Sequence, residues 1–249
     1  MIVLKSPAEI ALMRTANGIV AEVLQVLAER LCPGMTTLEL DRMAEEAIRQ
    51  RGAEPAFKGY QEYRYTLCTS VNSVVVHGLP DTSELAEGDI VSIDCGVRYQ
   101  GWHGDHAWTF IVGDTTSPTA RTLMRVTEEA LLLGIDQMRI GQRLYDVSAA
   151  IQRHVEGHEF SIVRDYVGHG VGRALHEEPQ VPNFGTPGTG PRLLAGMVLA
   201  LEPMVNEGTA KVKLLPDGWT VVTADGKLSA HFEHSVAVTE QGPLILSKV

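Results

Sequence analysis

Four acidic residues stand where a carboxylate is ordinarily avoided. Asp94 lies in Ile90-Val91-Ser92-Ile93-Asp94-Cys95-Gly96 and Asp105 in Trp102-His103-Gly104-Asp105-His106. Glu202 lies in Val198-Leu199-Ala200-Leu201-Glu202-Pro203-Met204 and Glu233 in His231-Phe232-Glu233-His234-Ser235-Val236. Apolar and β-branched neighbours mark all four stretches as strands, and burying an unpaired carboxylate is costly. One such residue is explained by an arginine partner or by solvent. Four of them, with few basic residues in the same strands, require a shared compensation. Two divalent cations supply it, because four negative charges balance two M²⁺ ions. His169, flanked by glycines in Gly168-His169-Gly170 that would let a partner approach the imidazole closely, adds one nitrogen to an oxygen-rich set that fits Mn, Fe, Co or Zn. Two such ions close together activate a water and polarise a carbonyl, which is hydrolytic chemistry.

Register points the same way. Ile90 to Val112 reads as a hairpin around Tyr99-Gln100-Gly101. A turn centred on Tyr99-Gln100 sets Asp94 directly opposite Asp105, on one face of the strand pair. Two further histidines extend the pattern: His77 ends a strand in Val76-His77-Gly78, and His176 lies in Leu175-His176-Glu177-Glu178-Pro179. Taken singly, each also reads as a structural or solvated side chain. The other six (His103, His106, His154, His158, His231 and His234) read as surface groups or as groups lying behind the site.

These residues need a scaffold. Ser6-Pro7-Ala8-Glu9 is a helix start, with a capping serine, proline at the first helical position and glutamate three after the cap. Ile10, Met13, Asn17, Val20, Leu24, Leu27 and Leu31 then form a helical stripe with one polar interruption at Asn17, ended by Cys32-Pro33-Gly34. A second helix is expected over 37–51, and two more over 119–138 and 144–155. Strands are expected over 66–76, 90–97, 161–164, 197–205, 220–223 and 232–239. Helix pairs interleaved with strands indicate one mixed domain. Two helices followed by an acid-bearing hairpin occur once before about residue 113 and again after it, the pattern of an internal duplication.

Composition narrows the class. The chain has 249 residues, 44% hydrophobic and 21% charged, and a formal net charge of -10. Such an acidic chain is poorly suited to nucleic acid or anionic lipid. No uninterrupted apolar run approaches the roughly 18 residues that span a bilayer, and the N-terminus lacks a signal-peptide pattern. Cys32, Cys68 and Cys95 form no CxxC pair, which fits a reducing cytoplasm.

In their order along nearly the whole chain, Asp94, Asp105, Gly168-His169-Gly170, His176-Glu177-Glu178-Pro179-Gln180, Leu201-Glu202-Pro203-Met204 and Phe232-Glu233-His234 resemble the type I methionine aminopeptidases. That resemblance implies an α+β pita-bread fold: a pseudo-twofold, curved antiparallel sheet flanked by helix pairs, with 1–249 as one catalytic domain. It implies that Asp94 binds one divalent ion and His169 and Glu202 the other, with Asp105 and Glu233 bridging both. Glu202 would move the proton of the attacking water, His176 would stabilise the developing oxyanion, and His77 would contact substrate beyond the scissile bond. Phe57, Tyr60, Tyr63, Cys68, Leu175 and Trp219 would form the methionine slot. Asn72, Val74 and Ser229 match a monovalent-cation site. The implied partners are nascent polypeptide N-termini carrying a small second residue, and the ribosome; a cytoplasmic monomer without nucleic-acid readout or membrane attachment is expected. The sequence departs from the resemblance in three places. Asp94 is followed by Cys95-Gly96, where a threonine two residues after the aspartate is common; Leu175 stands for a common phenylalanine, and Phe57 for a common cysteine. No N-terminal zinc-binding or polybasic extension is seen, as in the short bacterial-type form. The alternatives are an Xaa-Pro peptidase of the same fold and a non-catalytic peptide-binding relative.

Overall fold

The computed structural model describes residues 1–248. Four helices form two pairs: α1 (Pro7–Arg30) with α2 (Thr37–Gln50), and α3 (Pro118–Asp136) with α4 (Leu144–Gly157). The start of α1 is the expected capping box, Ser6 Oγ accepting from Glu9 N and the Glu9 side chain accepting from Ser6 N. Thr36 and Glu39 repeat the device on α2. The strands assemble as two larger sheets and two small ones. The first large sheet holds Leu67–Val71, Ile90–Tyr99, Trp102–Ile111 and the short Glu54–Pro55. The second, in the order Gly242–Ile245, His234–Thr239, Val198–Leu201, Gly168–Gly170, Glu177–Val181, is antiparallel throughout.

Each half has its own apolar core. Val20, Val23, Leu27, Leu40, Ile48 and Ile93 belong to the first; Leu123, Leu131, Val147, Ile151, Leu199 and Val236 to the second. Trp108 packs against both, so the halves meet across the long hairpin. Each half thus joins a helix pair to a sheet, as the repeat in the sequence suggested, but only the first carries its acids on a hairpin. At 24 residues α1 is long and apolar enough to cross a membrane by length and composition. Its apolar face is instead buried, with Met13, Ala16, Val20, Val23 and Leu27 shielded completely, as in a core helix.

Asn17 is not an interruption of that buried stripe. It is fully buried, its Nδ2 donating to Met13 O at 2.9 Å and its Oδ1 accepting from Asp105 N at 3.2 Å. α1 can come this close because residue 104 has no side chain: a Cβ on Gly104 would stand 2.7 Å from the backbone N of Asn17.

Three expectations about the strands change. The run expected over 66–76 turns at Asn72-Ser73, Asn72 having φ 51°, and splits into Leu67–Val71 in the first large sheet and Val74–Val76 in a three-stranded one. The hairpin turns on Gln100-Gly101, with φ of 50° and 80°, positive at both central residues as in a type I′ turn. The register therefore pairs Asp94 with Ala107 and Asp105 with Gly96. The two aspartates share a face but are diagonal neighbours, about 7–8 Å apart along the backbone, rather than directly opposed. The expected strands over 197–205 and 232–239 are each broken at the glutamate. Val198–Leu201 belongs to the five-stranded sheet and Met204–Asn206 to a three-stranded one; Ser229–His231 belongs to the latter and His234–Thr239 to the former. Glu202 and Glu233 thus occupy two bends where the chain crosses between sheets. Pro203, without an N–H, ends the first strand segment.

Candidate active site

The four carboxyl groups converge because the two bends face the hairpin. Glu233 N donates to Ala107 O at 2.8 Å, and Ser235 Oγ donates to Asp105 O at 2.9 Å. Thr109 Oγ1 donates to His231 O at 2.7 Å. Asn183 Nδ2 fixes the other bend by donating to Glu202 O at 3.1 Å. The thirteen residues nominated for the catalytic, divalent-ion and slot roles line one cavity of about 380 Å³; Asn72, Val74 and Ser229 lie outside it.

His169 lies against the acidic groups, its Nε2 3.5 Å from Glu202 Oε1 and 3.7 Å from Asp105 Oδ2. Asp105, His169 and Glu233 each offer a ligand atom within 4.8 Å of the others. The Nδ1 of His169 sits 2.9 Å from Gly170 O; donating there leaves the Nε2 lone pair toward the carboxyls, the usual arrangement of a metal-ligating imidazole. The flanking glycines do not serve to open access to the ring, as expected from sequence. A Cβ on Gly168 would lie 2.3 Å from Ala200 O, and one on Gly170 2.4 Å from Glu178 O. They allow the neighbouring strand and loop backbone to pass.

The carboxyl oxygens are poorly served by the protein itself. Asp94 Oδ1, Asp105 Oδ1 and Glu233 Oε1 are buried without any hydrogen-bond partner among the described residues. Among those residues, no lysine or arginine forms an ion pair with the four. Burial pushes Asp94 up to about 7 and Glu202 up to about 8. Burial, joined by the charge of neighbouring carboxylates, also holds Asp105 and Glu233 well above the usual range. Burial drives His169 down to about 3. Orphaned buried acceptors beside an unprotonated imidazole are the donor set of a divalent-cation site.

The apolar part of the cavity is one packed cluster. Phe57, Tyr63, Cys68 and Leu175 are buried together, with Tyr60 and Trp219 against them. Tyr63 OH donates to Leu67 O at 2.8 Å, and its ring meets Trp219 edge-on at 4.8 Å. Cys68 is the cross-strand partner of Asp94, so the slot abuts the acidic cluster directly. Burial, reinforced by the Asp94 charge, raises the Cys68 thiol well above its ordinary range, which keeps it neutral. Two of the sequence departures are one structural feature. A Cβ on Gly96 would lie 2.4 Å from Phe57 Cε1, so the ring occupies the space that a side chain at 96 would need.

His176 stands at the mouth. Its Nδ1 is 2.9 Å from Tyr60 OH, and its ring centroid is 4.2 Å from that of His169. A hydroxyl proton given to Nδ1 leaves Nε2–H pointing elsewhere as a donor. His77, in a left-handed backbone conformation with φ 58°, meets Tyr166 edge-on at 5.6 Å. Burial lowers it to about 4, so it is neutral at physiological pH.

Gln61 and Lys5 escaped the sequence reading, and His231 proves to be one of the groups it placed either at the surface or behind the site. His231, 2% exposed, points Nε2 at Glu202 Oε2 at 3.6 Å; standing two residues before Glu233, it carries a period-two hint of a shared face. Gln61, also on the cavity wall, has a positive φ of 46°. Lys5 donates to Glu177 Oε2 at 2.7 Å while its backbone N donates to Gly196 O at 2.7 Å. That buried pair clamps the segment carrying His176, and neither charge gives a local signal of it. Of the six remaining histidines, His106 and His234 stack at 4.6 Å behind the sheet, on the side away from Asp105.

Two measurements test this geometry. Gly96→Ala is expected to cost about 1–3 kcal/mol by overpacking against Phe57. Phe57→Cys placed on top should recover most of it, giving a coupling of at least about 0.5 kcal/mol in a thermal-denaturation cycle; strict additivity would refute the shared space. The second is pH dependence after chelation of divalent ions. Carboxyls whose pKa is raised by folding contribute stability that is whole below their unfolded pKa and lost as pH rises through the raised values. The lowered histidines act oppositely, but only below 6.5. Between pH 6.5 and 8 the four raised carboxyls govern the slope. The urea midpoint of chelated protein should fall across that window, while that of ion-saturated protein stays flat.

Comparison with known proteins follows this geometry closely. Residues 11–240 match the profile of metallopeptidase family M24. The chain is 56% identical over 249 residues to the methionine aminopeptidase of Clostridium perfringens and 52% identical over 249 residues to methionine aminopeptidase 1 of Bacillus subtilis, covering 100% of both chains in each case. The crystal structure of methionine aminopeptidase from Thermotoga maritima superposes with a TM-score of 0.98 at 50% identity, covering 100% of each chain. The α+β pita-bread architecture is thereby shared along the full length. With that profile match, and with relatives more than half identical from end to end, the chain belongs to metallopeptidase family M24.

Proposed function

We infer that this protein is a methionyl aminopeptidase, removing the N-terminal methionine of polypeptides whose second residue is small. One observation carries the reading: the apolar slot and the orphaned carboxyl cluster are adjacent walls of one cavity, joined at the Cys68–Asp94 cross-strand pair. A linear, unbranched thioether side chain suits the slot, while the scissile bond lies over the acidic groups. The end-to-end relatives carry the same name, and this favours methionine removal over Xaa-Pro cleavage. The whole chain, 1–249, acts as one catalytic domain.

In this reading two divalent ions would be held by Asp94 on one side, His169 and Glu202 on the other, and Asp105 and Glu233 between them. The ions would be Mn, Fe, Co or Zn, and when bound would supply Lewis acidity at the scissile carbonyl and acidify a water. Glu202 carries the proton from the attacking water toward the leaving amine; a carboxyl raised by burial is suited to hold it. His176 donates from Nε2–H to the carbonyl oxygen as charge develops, its tautomer set by the Tyr60 hydroxyl. His77, neutral at the far wall, contacts the residue beyond the scissile bond. A monovalent ion beside Asn72, Val74 and Ser229 would brace the segment leading to His77; in support, Ser229 N donates to Asn72 O at 2.9 Å and Asn72 has φ 51°. The substrates are nascent-chain N-termini presented at the ribosome to a monomer. Three free cysteines fit a cytoplasmic location.

The direct assay compares Met-Gly-Met with Xaa-Pro dipeptides, with and without added divalent ion. Ion-dependent release of methionine, with the Xaa-Pro substrates inert, is expected. The reverse preference would replace the reading with a prolyl peptidase, and tight peptide binding without turnover in ion-saturated protein would replace it with a binding protein. His176→Ala should lower kcat by about 10²–10³-fold with little change in KM. A loss confined to KM would remove the oxyanion role.

A further inference from the structure

A second cluster of metal-ligand side chains lies on the outer face of the second helix pair and shares no residue with the cavity described above. Glu129 projects from α3, His154 from α4, and His158 from the residue that caps α4. Each offers one ligand atom within 4.8 Å of the others. Glu129 Oε2 and His154 Nε2 are already 3.0 Å apart, close to the donor spacing of about 3.3 Å in a tetrahedral zinc site with bonds near 2 Å. His154 and His158 are four residues apart, one helical turn, with ring centroids at 4.6 Å.

The orientation of His158 is that of a ligand. Its Nδ1 lies 2.9 Å from His154 O. Donation there satisfies one of the free carbonyls at the helix C-terminus and selects the tautomer whose Nε2 lone pair is available. His158 is exposed, and its ligand nitrogen already lies within 4.8 Å of the ligand atoms of the other two. His154 and His158 also border a shallow hollow of about 370 Å³ beside Leu133, Gln137 and Ala150, which leaves room for water to complete a coordination shell. Arg125 holds both oxygens of Glu129 at 2.8 Å, but this is an exposed i,i+4 pair worth little. One carboxylate oxygen serves an ion while the other keeps the guanidinium.

We propose that Glu129, His154 and His158 form a surface site for one borderline divalent transition ion (Zn²⁺, Ni²⁺ or Cu²⁺), bridging α3 to α4. Two imidazoles and one carboxylate select this class over Mg²⁺ or Ca²⁺, which favour all-oxygen shells. Because its ligands come from two helices that pack together, a bound ion acts as a brace on the second half of the molecule and not as a reagent.

The test titrates Zn²⁺ alone into full-length protein and into His158→Gln and Glu129→Gln variants by calorimetry, with thermal unfolding followed in parallel. The wild type is expected to take up one more Zn²⁺ equivalent than His158→Gln, and Glu129→Gln to bind that equivalent at least about tenfold more weakly. Zinc should raise the unfolding midpoint of the wild type more than that of either variant. Basal peptidase activity of His158→Gln should be unchanged, since it touches no part of the cavity. Imidazole NMR resonances of His154 and His158 should shift with the extra equivalent. Equal zinc stoichiometry and affinity in the wild type and His158→Gln, or unmoved His154 and His158 resonances, would overturn the proposal.

Discussion

Four carboxyl groups brought into one water-poor space set the terms for the rest of the molecule. Left as anions they repel, and the protein supplies neither an ammonium nor a guanidinium to any of them among the described residues. Protonation is the chain's own remedy, and it is why burial raises Asp94 and Glu202 into the neutral range. A cation would be the better remedy, because it would satisfy the orphaned oxygens of Asp94, Asp105 and Glu233 together. Metal affinity, fold stability and proton inventory are therefore one linked quantity at this site.

The pseudo-twofold architecture produces that convergence. Each half builds a sheet and covers it with a helix pair around its own core. The first half presents its acids from a regular hairpin, where alternation puts Asp94 and Asp105 on one face. The second presents Glu202 and Glu233 from bends where the chain changes sheet; hydrogen bonds from Glu233, Ser235 and Thr109 lock the Glu233 bend to the hairpin, and one from Asn183 holds the Glu202 bend. Regular strands thus carry Asp94 and Asp105, while hydrogen bonds take the place of strand pairing in fixing Glu202 and Glu233.

The apolar slot depends on the same hairpin from its other flank. Strand Leu67–Val71 pairs with Ile90–Tyr99 so that Cys68 lies beside Asp94, and Phe57 closes over Gly96. The slot and the acidic groups are positioned by one set of strand pairings, so a change in slot shape is felt at the acids. The Lys5–Glu177 pair extends this coupling to the N-terminal segment, which holds the His176 stretch in place.

Local chemistry was legible in the chain itself. The Ser6 cap, the helical stripe of α1, the four acids in apolar surroundings and the order of the acidic and histidine motifs all lie within short windows, where periodicity and residue type carry the information. Helix existence was read within a few residues for all four helices. Register was not legible, because it turned on one pair of positive φ angles at Gln100-Gly101. The breaks at Glu202 and Glu233 were hidden too, since a strand that changes sheet keeps its apolar composition. The roles of Asn17, His231 and Lys5, and the fit of Phe57 over Gly96, needed tertiary structure. Each joins segments tens to nearly two hundred residues apart, and pairing at that separation is set by how whole sheets and helices pack, not by the residues beside it.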